Sequence, residues 1–269
     1  MRTRVAVCQF AIDIDDPAGT LARLHDTVAE AAESQPQVIV LPELCTSGYV
    51  FRDLAECRSR AEPVDGPTVE LFRALSLKHH AIVVGGFCER SDGCRPYNSA
   101  AIVENGEVLV VYRKTHLWDT EKRVFAVGKE PAPVVTTSVG KIAVMICYDA
   151  EFPEMVGSAA RRGAQLVIAP SNWPSKSIPP GERSAEVIKA QAFAAVNYVF
   201  TLVCDRVGPE RGVDWIGGSV VCDVEGYPVA GPAEGKPVVL IADLDLGRAL
   251  IKTISGNNDA FRDRRSELY

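Results

Sequence analysis

At 269 residues, 47% of them hydrophobic and 24% charged, the chain is long enough for one large single-core domain or two small ones. A formal net charge of −6 leaves no basic field to hold nucleic acid or an anionic lipid surface. No apolar run reaches the length of a membrane span, and the first one ends at Phe10, too short for a secretory signal, so a cytoplasmic protein is expected.

Residues 3–9 read as a buried strand. Asp16 then suits an N-cap, with Pro17 at the first helical position and Leu21, Leu24, Val28 and Ala31 as one apolar stripe. Residues 38–41 form the next strand pattern, 68–79 a helix and 81–88 an apolar β-like run. Residues 99–103 and 107–112 read as a hairpin about Asn105-Gly106, a dipeptide suited to a primed turn. A strand at 141–146, a helix at 152–162 and a strand at 165–169 follow. Residues 182–197 are helical in pattern, with Ala185, Ile188, Ala192 and Ala195 on one face, and 199–205, 218–222 and 238–242 are mostly strand. This alternation predicts a layered α/β fold. Nothing in composition separates domains, so one domain over 1–269 is expected, with a loop at 174–181 and a polar tail at 255–269.

An internal echo runs through the chain. Gln37-Val38-Ile39-Val40-Leu41-Pro42-Glu43 resembles Gln165-Leu166-Val167-Ile168-Ala169-Pro170-Ser171, each preceded by a helix and each ending in a proline and a polar residue. Ligands in open α/β sheets bind beyond strand carboxyl ends, so a duplicated half with a site between the halves is expected.

Eight cysteines occur without a C-x-x-C pair, and neither they nor the four histidines cluster at zinc-ligand spacing. Most read as small buried hydrophobes. Three segments place a reactive or charged group just after an apolar strand. A carboxylate at Glu43 would be partly desolvated there, raising its pKa toward general-base work, although a capping or ion-paired glutamate fits the same position. Lys114 is either a solvated strand end or a fixed charge for an oxyanion. Cys147 sits at a strand-to-helix turn, which would expose the side chain and lower its pKa through helix-terminal N–H groups. On these residues alone, nucleophile and buried structural thiol are equally good readings. No histidine stands as a clear base: His25 lies in the first helix, His79 and His80 close the second, and His116 reads equally well as a loop hydrogen-bond partner.

Taken together, Pro42-Glu43 with Gly48-Tyr49, Tyr112-Arg113-Lys114-x-His116-Leu117, and Cys147-Tyr148-Asp149-x-x-Phe152-Pro153-Glu154 resemble the nitrilase superfamily of carbon–nitrogen hydrolases. Smaller matches at Tyr97-Asn98-Ser99, Phe125-x-x-Gly128 and Arg162-Gly163-Ala164 extend the likeness over nearly the whole chain. The resemblance implies a four-layer αββα sandwich and a Glu–Lys–Cys triad. It makes Glu43 the general base, Lys114 and the backbone N–H of Tyr148 the oxyanion holders, Cys147 the nucleophile of a thioester, and Glu121 the support of substrate and lysine. It implies no metal or organic cofactor. It also implies a homodimer through helices near the cysteine and the carboxyl-terminal segment.

Around the cysteine the chain looks like aliphatic amidases of the Cys-Tyr-Asp-x-Glu-Phe-Pro-Glu type, such as 5-aminopentanamidase. Ala150 and Glu151 stand where carbamoyl-amino-acid branches tend to carry arginines, and Tyr148 where nitrilases proper usually have tryptophan. A small-molecule amide is therefore the expected substrate, with a nitrile or N-carbamoyl amine as the alternative and an acyltransferase or non-catalytic protein more remote. Asn172 and Trp173, beyond the strand that echoes the Glu43 strand, are expected to line the acyl pocket with Tyr49 opposite. Glu151 is left between a contact to a cationic substrate amine and a structural ion pair.

Overall fold

The computed structural model describes residues 2–268. Its first strand, β1 (Thr3–Gln9), is buried on both faces, as a continuous apolar run demands. Val5 and Val7 face one core, and Ala6 and Cys8 face another. The chain continues through α1 (Pro17–Glu33), β2 (Val38–Val40), α2 (Leu54–Arg60), α3 (Pro67–His79), β3 (Ile82–Glu89), β4 (Tyr97–Glu104), β5 (Glu107–Arg113) and α4 (Glu121–Val124). Then come β6 (Val134–Thr137), β7 (Gly140–Val144), a 3-10 turn at Cys147–Glu151, α5 (Pro153–Arg161), β8 (Leu166–Pro170) and α6 (Ala185–Asn197). Strands β9 (Phe200–Cys204), β10 (Val220–Cys222), β11 (Pro228–Ala230) and β12 (Val238–Leu244) complete the order.

Two six-stranded mixed sheets result, ordered β12-β1-β2-β3-β4-β5 and β11-β10-β9-β8-β7-β6. The inner faces meet in one core, where Val38, Val40, Ile82 and Val84 of the first sheet join Ile142, Val144, Leu166, Ile168 and Leu202 of the second. Outside the first sheet, Leu24, Val28 and Ala31 of α1 and Val69, Phe72 and Leu75 of α3 cover Ile39, Leu41 and Val83. Val156, Ala159 and Ala160 of α5 and Ala190, Phe193 and Ala194 of α6 pack on the second. This is the expected αββα sandwich. No helix among the described residues is long and apolar enough to cross a membrane.

The echo has a structural counterpart: β2 lies between parallel neighbours β1 and β3, and β8 between parallel neighbours β7 and β9. The Asn105-Gly106 turn has φ values of 51° and 76°, as a primed hairpin requires. Two helix faces differ from expectation. Leu21 is 41% exposed, and α1 buries Thr20 in its place. In α6 the anticipated stripe points outward, with Ile188 47% exposed, while Val187, Ala190, Phe193 and Ala194 face the sheet. Both faces of α6 are apolar, so periodicity alone does not select the inner one. In the 255–269 tail, Phe261 packs against the core with Lys252 and Arg264 near its ring; Tyr269 lies outside the described residues.

Candidate active site

Glu43 is placed by an extension of β2. Leu41 N–H donates to Val84 O (2.8 Å) and Gly86 N–H to Pro42 O (3.0 Å), so the segment runs on beside β3. A Cβ at Gly86 would meet Glu43 Cα at 2.6 Å, so only glycine admits this approach. Lys114 leaves β5 with its N–H on Asn98 O (2.8 Å) and its carbonyl accepting from Gly128 N–H (2.8 Å). A Cβ at Gly128 would fall 2.0 Å from Arg113 O, which explains the glycine of the Phe125-x-x-Gly128 motif.

These turns bring three charged side chains together with almost no access to water. Lys114 and Glu43 are 0% exposed and Glu121, which opens α4, is 2% exposed. Lys114 Nζ donates to Glu43 Oε1 at 2.7 Å and to Glu121 Oε1 at 2.9 Å. Asn98 Nδ2 donates to the same two oxygens at 2.7 and 2.9 Å. Glu121 Oε2 accepts the Trp118 N–H at 2.6 Å. An ammonium carries three donors, so one N–H of Lys114 is left for a further acceptor. Glu43 Oε2 is likewise buried without a partner among the described residues.

Cys147 comes from the second sheet. It begins the 3-10 turn with φ +47°, a left-handed conformation costly for a non-glycine residue and typical of functional sites. The turn is held by Asp149, fully buried, whose Oδ2 accepts from Tyr112 OH (2.9 Å) and Ile146 N–H (3.1 Å). Its Oδ1 accepts from Thr115 OH (3.0 Å) and His116 N–H (2.9 Å), and His116 Nδ1 lies 2.8 Å away. His116 thus braces the turn, stacked on Phe152 at 3.9 Å. The thiol reaches the Asn172 carbonyl at 3.7 Å, and Asn172 Nδ2 donates to Glu43 O at 3.0 Å. That last bond ties the carboxyl ends of the two echoed strands together.

The electrostatics follow from burial. Glu43 is pushed up to about 7 by desolvation, against the pull of Lys114 and with a further push from Glu121. Burial would lower Lys114, but Glu121 and Glu43 more than offset it and hold the ammonium above its usual range. For Cys147 the expectation was a lowered thiol. Instead burial, then the charge of Glu43, raise it well above its ordinary value against the pull of Lys114. The cause is access: Cys147 is 6% exposed, and a one-turn 3-10 segment offers little dipole to oppose desolvation. The resting thiol is neutral, and a neighbouring base must take its proton before it can attack.

The substrate-side residues separate. Tyr49 and Glu121 line a cavity of about 290 Å³ with Phe51 and Phe125. Trp173 lines a small apolar cavity with Cys147, whereas the Asn172 side chain is turned onto Glu43. Tyr148 packs edge-on against Trp118 (4.9 Å) and Phe152 (5.1 Å). Glu151 resolves as an ion pair with Lys189 at 2.5 Å. Sequence reasoning passed over Asn98 and Asp149 as site residues, although both fall inside quoted motifs. Their signal was a polar residue at the end of an apolar run, Asn98 just ahead of 100–103 and Asp149 just after 142–148.

The family described as carbon-nitrogen hydrolase matches residues 4–250. A probable nitrilase of Schizosaccharomyces pombe is 33% identical over 100% of this chain and 98% of its own length. An (R)-stereoselective amidase of a Pseudomonas species is 32% identical over 98% of this chain and 92% of its own. An amidase from Nesterenkonia superposes with a TM-score of 0.81 at 29% identity, covering 99% of this chain and 94% of that one. In the structure of a glutamate-to-glutamine mutant of an amidase from Nesterenkonia, acrylamide has added at the active-site cysteine.

Proposed function

Since the chain belongs to the carbon–nitrogen hydrolase family of the nitrilase superfamily, we propose that it is an amidase. It takes a small aliphatic amide to carboxylate and ammonia through a thioester on Cys147. The observation that carries this reading is the buried Lys114 ammonium shared between Glu43 and Glu121, beside the thiol.

Glu43 Oε2, without a partner among the described residues, takes the Cys147 proton as the sulfur attacks the amide carbon. The oxyanion receives the spare Lys114 N–H and the Tyr148 backbone N–H. Glu43 returns the proton to the departing nitrogen, so ammonia leaves and the acyl group stays on sulfur. Water then enters, Glu43 takes its proton, and the tetrahedral adduct collapses to the carboxylic acid as Glu43 passes that proton to the departing sulfur; the acid ionises to carboxylate in water. Glu121 keeps Lys114 charged and in place throughout.

Two carboxylates near the cysteine carry their own cations, Glu151 with Lys189 at 2.5 Å and Glu186 with Lys176 at 2.8 Å. This favours an uncharged acyl chain over an ω-amino one. The test is ammonia release from butyramide, 5-aminopentanamide, glutaramate, a carbamoylated diamine and butyronitrile. Butyramide is expected to lead; ammonia from the nitrile or the carbamoyl compound alone would refute the amidase reading. The outward apolar face of α6, with Ile188 47% and Val196 57% exposed, supports a homodimer, and a monomer by light scattering would remove that proposal.

A further inference from the structure

Glu210, on the loop after β9, is 1% exposed and accepts three backbone N–H groups. Its Oε1 takes Ile14 N–H at 2.9 Å, and its Oε2 takes Tyr49 N–H at 2.9 Å and Val50 N–H at 2.8 Å. Arg206, fully buried, pairs with it at 3.1 Å, donates to Ile12 O, and lies over the Trp215 ring at 4.5 Å from the centroid. Trp215 meets the Tyr49 ring edge-on at 5.3 Å. The same loop is fastened to the nucleophile side, since Ile216 N–H donates to Trp173 O at 2.8 Å.

A buried ion pair is weak as a source of stability, because desolvation consumes most of its attraction. What this one does is fix a backbone and a ring. Its product is the placement of Tyr49, whose hydroxyl is buried with no hydrogen-bond partner among the described residues. Tyr49 shares a cavity with Glu121 of the charged cluster, and burial, then the charges of Glu121, Glu43 and Cys147, hold its phenol neutral, so the hydroxyl keeps one donor and acceptor capacity. An amide head offers the complement: a carbonyl acceptor and N–H donors.

We propose that Glu210 is a positioning residue of the amide site: by clamping the Tyr49–Val50 backbone and, through Arg206, the Trp215 ring, it holds the Tyr49 hydroxyl against the amide head of the substrate. The inference rests on the amidase reading for its substrate class. The test is a double-mutant cycle of Tyr49→Phe and Glu210→Gln with two readouts. The first is kcat/KM for butyramide. The second is the rate at which iodoacetamide alkylates Cys147, divided by the rate for methyl methanethiosulfonate, a thiol reagent with no amide head. Tyr49→Phe is expected to lower kcat/KM, and the alkylation ratio with it, by about tenfold. Glu210→Gln should act in the same direction, and the double variant should fall no lower than Tyr49→Phe alone. If Glu210→Gln gives no cooperative melt, Trp215→Phe, which leaves the ion pair intact, takes its place in the cycle. A Tyr49→Phe ratio within twofold of wild type, or independent losses that multiply in the double variant, would overturn the proposal. Wild-type protein inert toward every amide would sink the amidase reading alone, because the alkylation ratio needs no turnover.

Discussion

Replacing Lys114 by Met tests the buried charge cluster most directly, because the change keeps the length of the side chain and removes only its charge and donors. Two carboxylates, 0% and 2% exposed, would then share the amide of Asn98 with no cation between them. Breaking a buried pair by removing one partner costs about 3–5 kcal/mol. In a chain of this size each kcal/mol moves Tm by about 2–4 °C, so a fall on the order of 10 °C is expected. The loss has a pH signature. Without the cation, burial and the nearby Glu121 charge would raise the folded-state pKa of Glu43 further above its unfolded one. A raised carboxyl contributes its full stability below the ordinary value of 4.5 and loses it as pH climbs through the folded value. Wild-type Glu43, already raised to about 7, shows a smaller loss in the same direction. The gap between variant and wild type should therefore widen from pH 5 to pH 8. Thermal melts at both pH values, paired with ammonia release from butyramide, read both effects; turnover should drop by at least about 10³-fold. A Lys114→Met protein that melts within 2 °C of wild type at pH 8 and still turns over would refute the account of the cluster.

Because Glu43 must be ionised to take the thiol proton, kcat/KM should rise with pH on a limb near 7, an apparent value belonging to the coupled Glu43, Lys114 and Cys147 set. A flat profile from pH 5 to 8 would contradict the general-base role. Cys147→Ala should keep the fold and abolish ammonia release, while intact mass spectrometry of wild type with a slow amide should find the acyl adduct. Normal turnover by Cys147→Ala would end the nucleophile assignment.

The long strands and the segments that bring Glu43, Lys114 and Cys147 after strand ends were legible because both leave local marks. A buried strand such as β1 is a continuous apolar run, and a charged residue directly after one is conspicuous. Short elements left none: β6 follows Pro131 and Pro133 closely, and α4 is four residues around a buried glutamate. The facing of α6 was illegible for a different reason, since Ile188 and Val196 outside are as apolar as Val187 and Phe193 inside. The thiol's raised pKa escaped because the sequence displays the turn but not the depth at which it is buried. Glu210 is the extreme case, its partners Ile14 and Tyr49 lying 196 and 161 residues away, where no window of sequence reaches.

The proposed catalytic groups come from different sheets, so their register depends on struts across the sandwich. Glu43 and Lys114 follow β2 and β5, whereas Cys147 follows β7. Besides the Glu210 clamp, two polar struts lie next to these groups: Asn172 to the Glu43 carbonyl, and Asp149 to Tyr112, Thr115 and His116. Asp149 is the stronger, fully buried and filled by donors on both oxygens. Asp149→Asn keeps the shape but turns an NH₂ toward donors already in place, at a cost of about 1–3 kcal/mol. If Asp149 only stabilised the fold, Tm would drop while kcat per folded molecule stayed unchanged. If it sets the sulfur against Glu43 and Lys114, kcat should fall at least about tenfold with KM nearly constant, because a displaced nucleophile slows the attack without weakening the cavity's hold on the substrate. Kinetics well below the melting transition distinguish the two, and an unchanged kcat would mean that Asn172, the Glu210 clamp and apolar packing keep the register without Asp149.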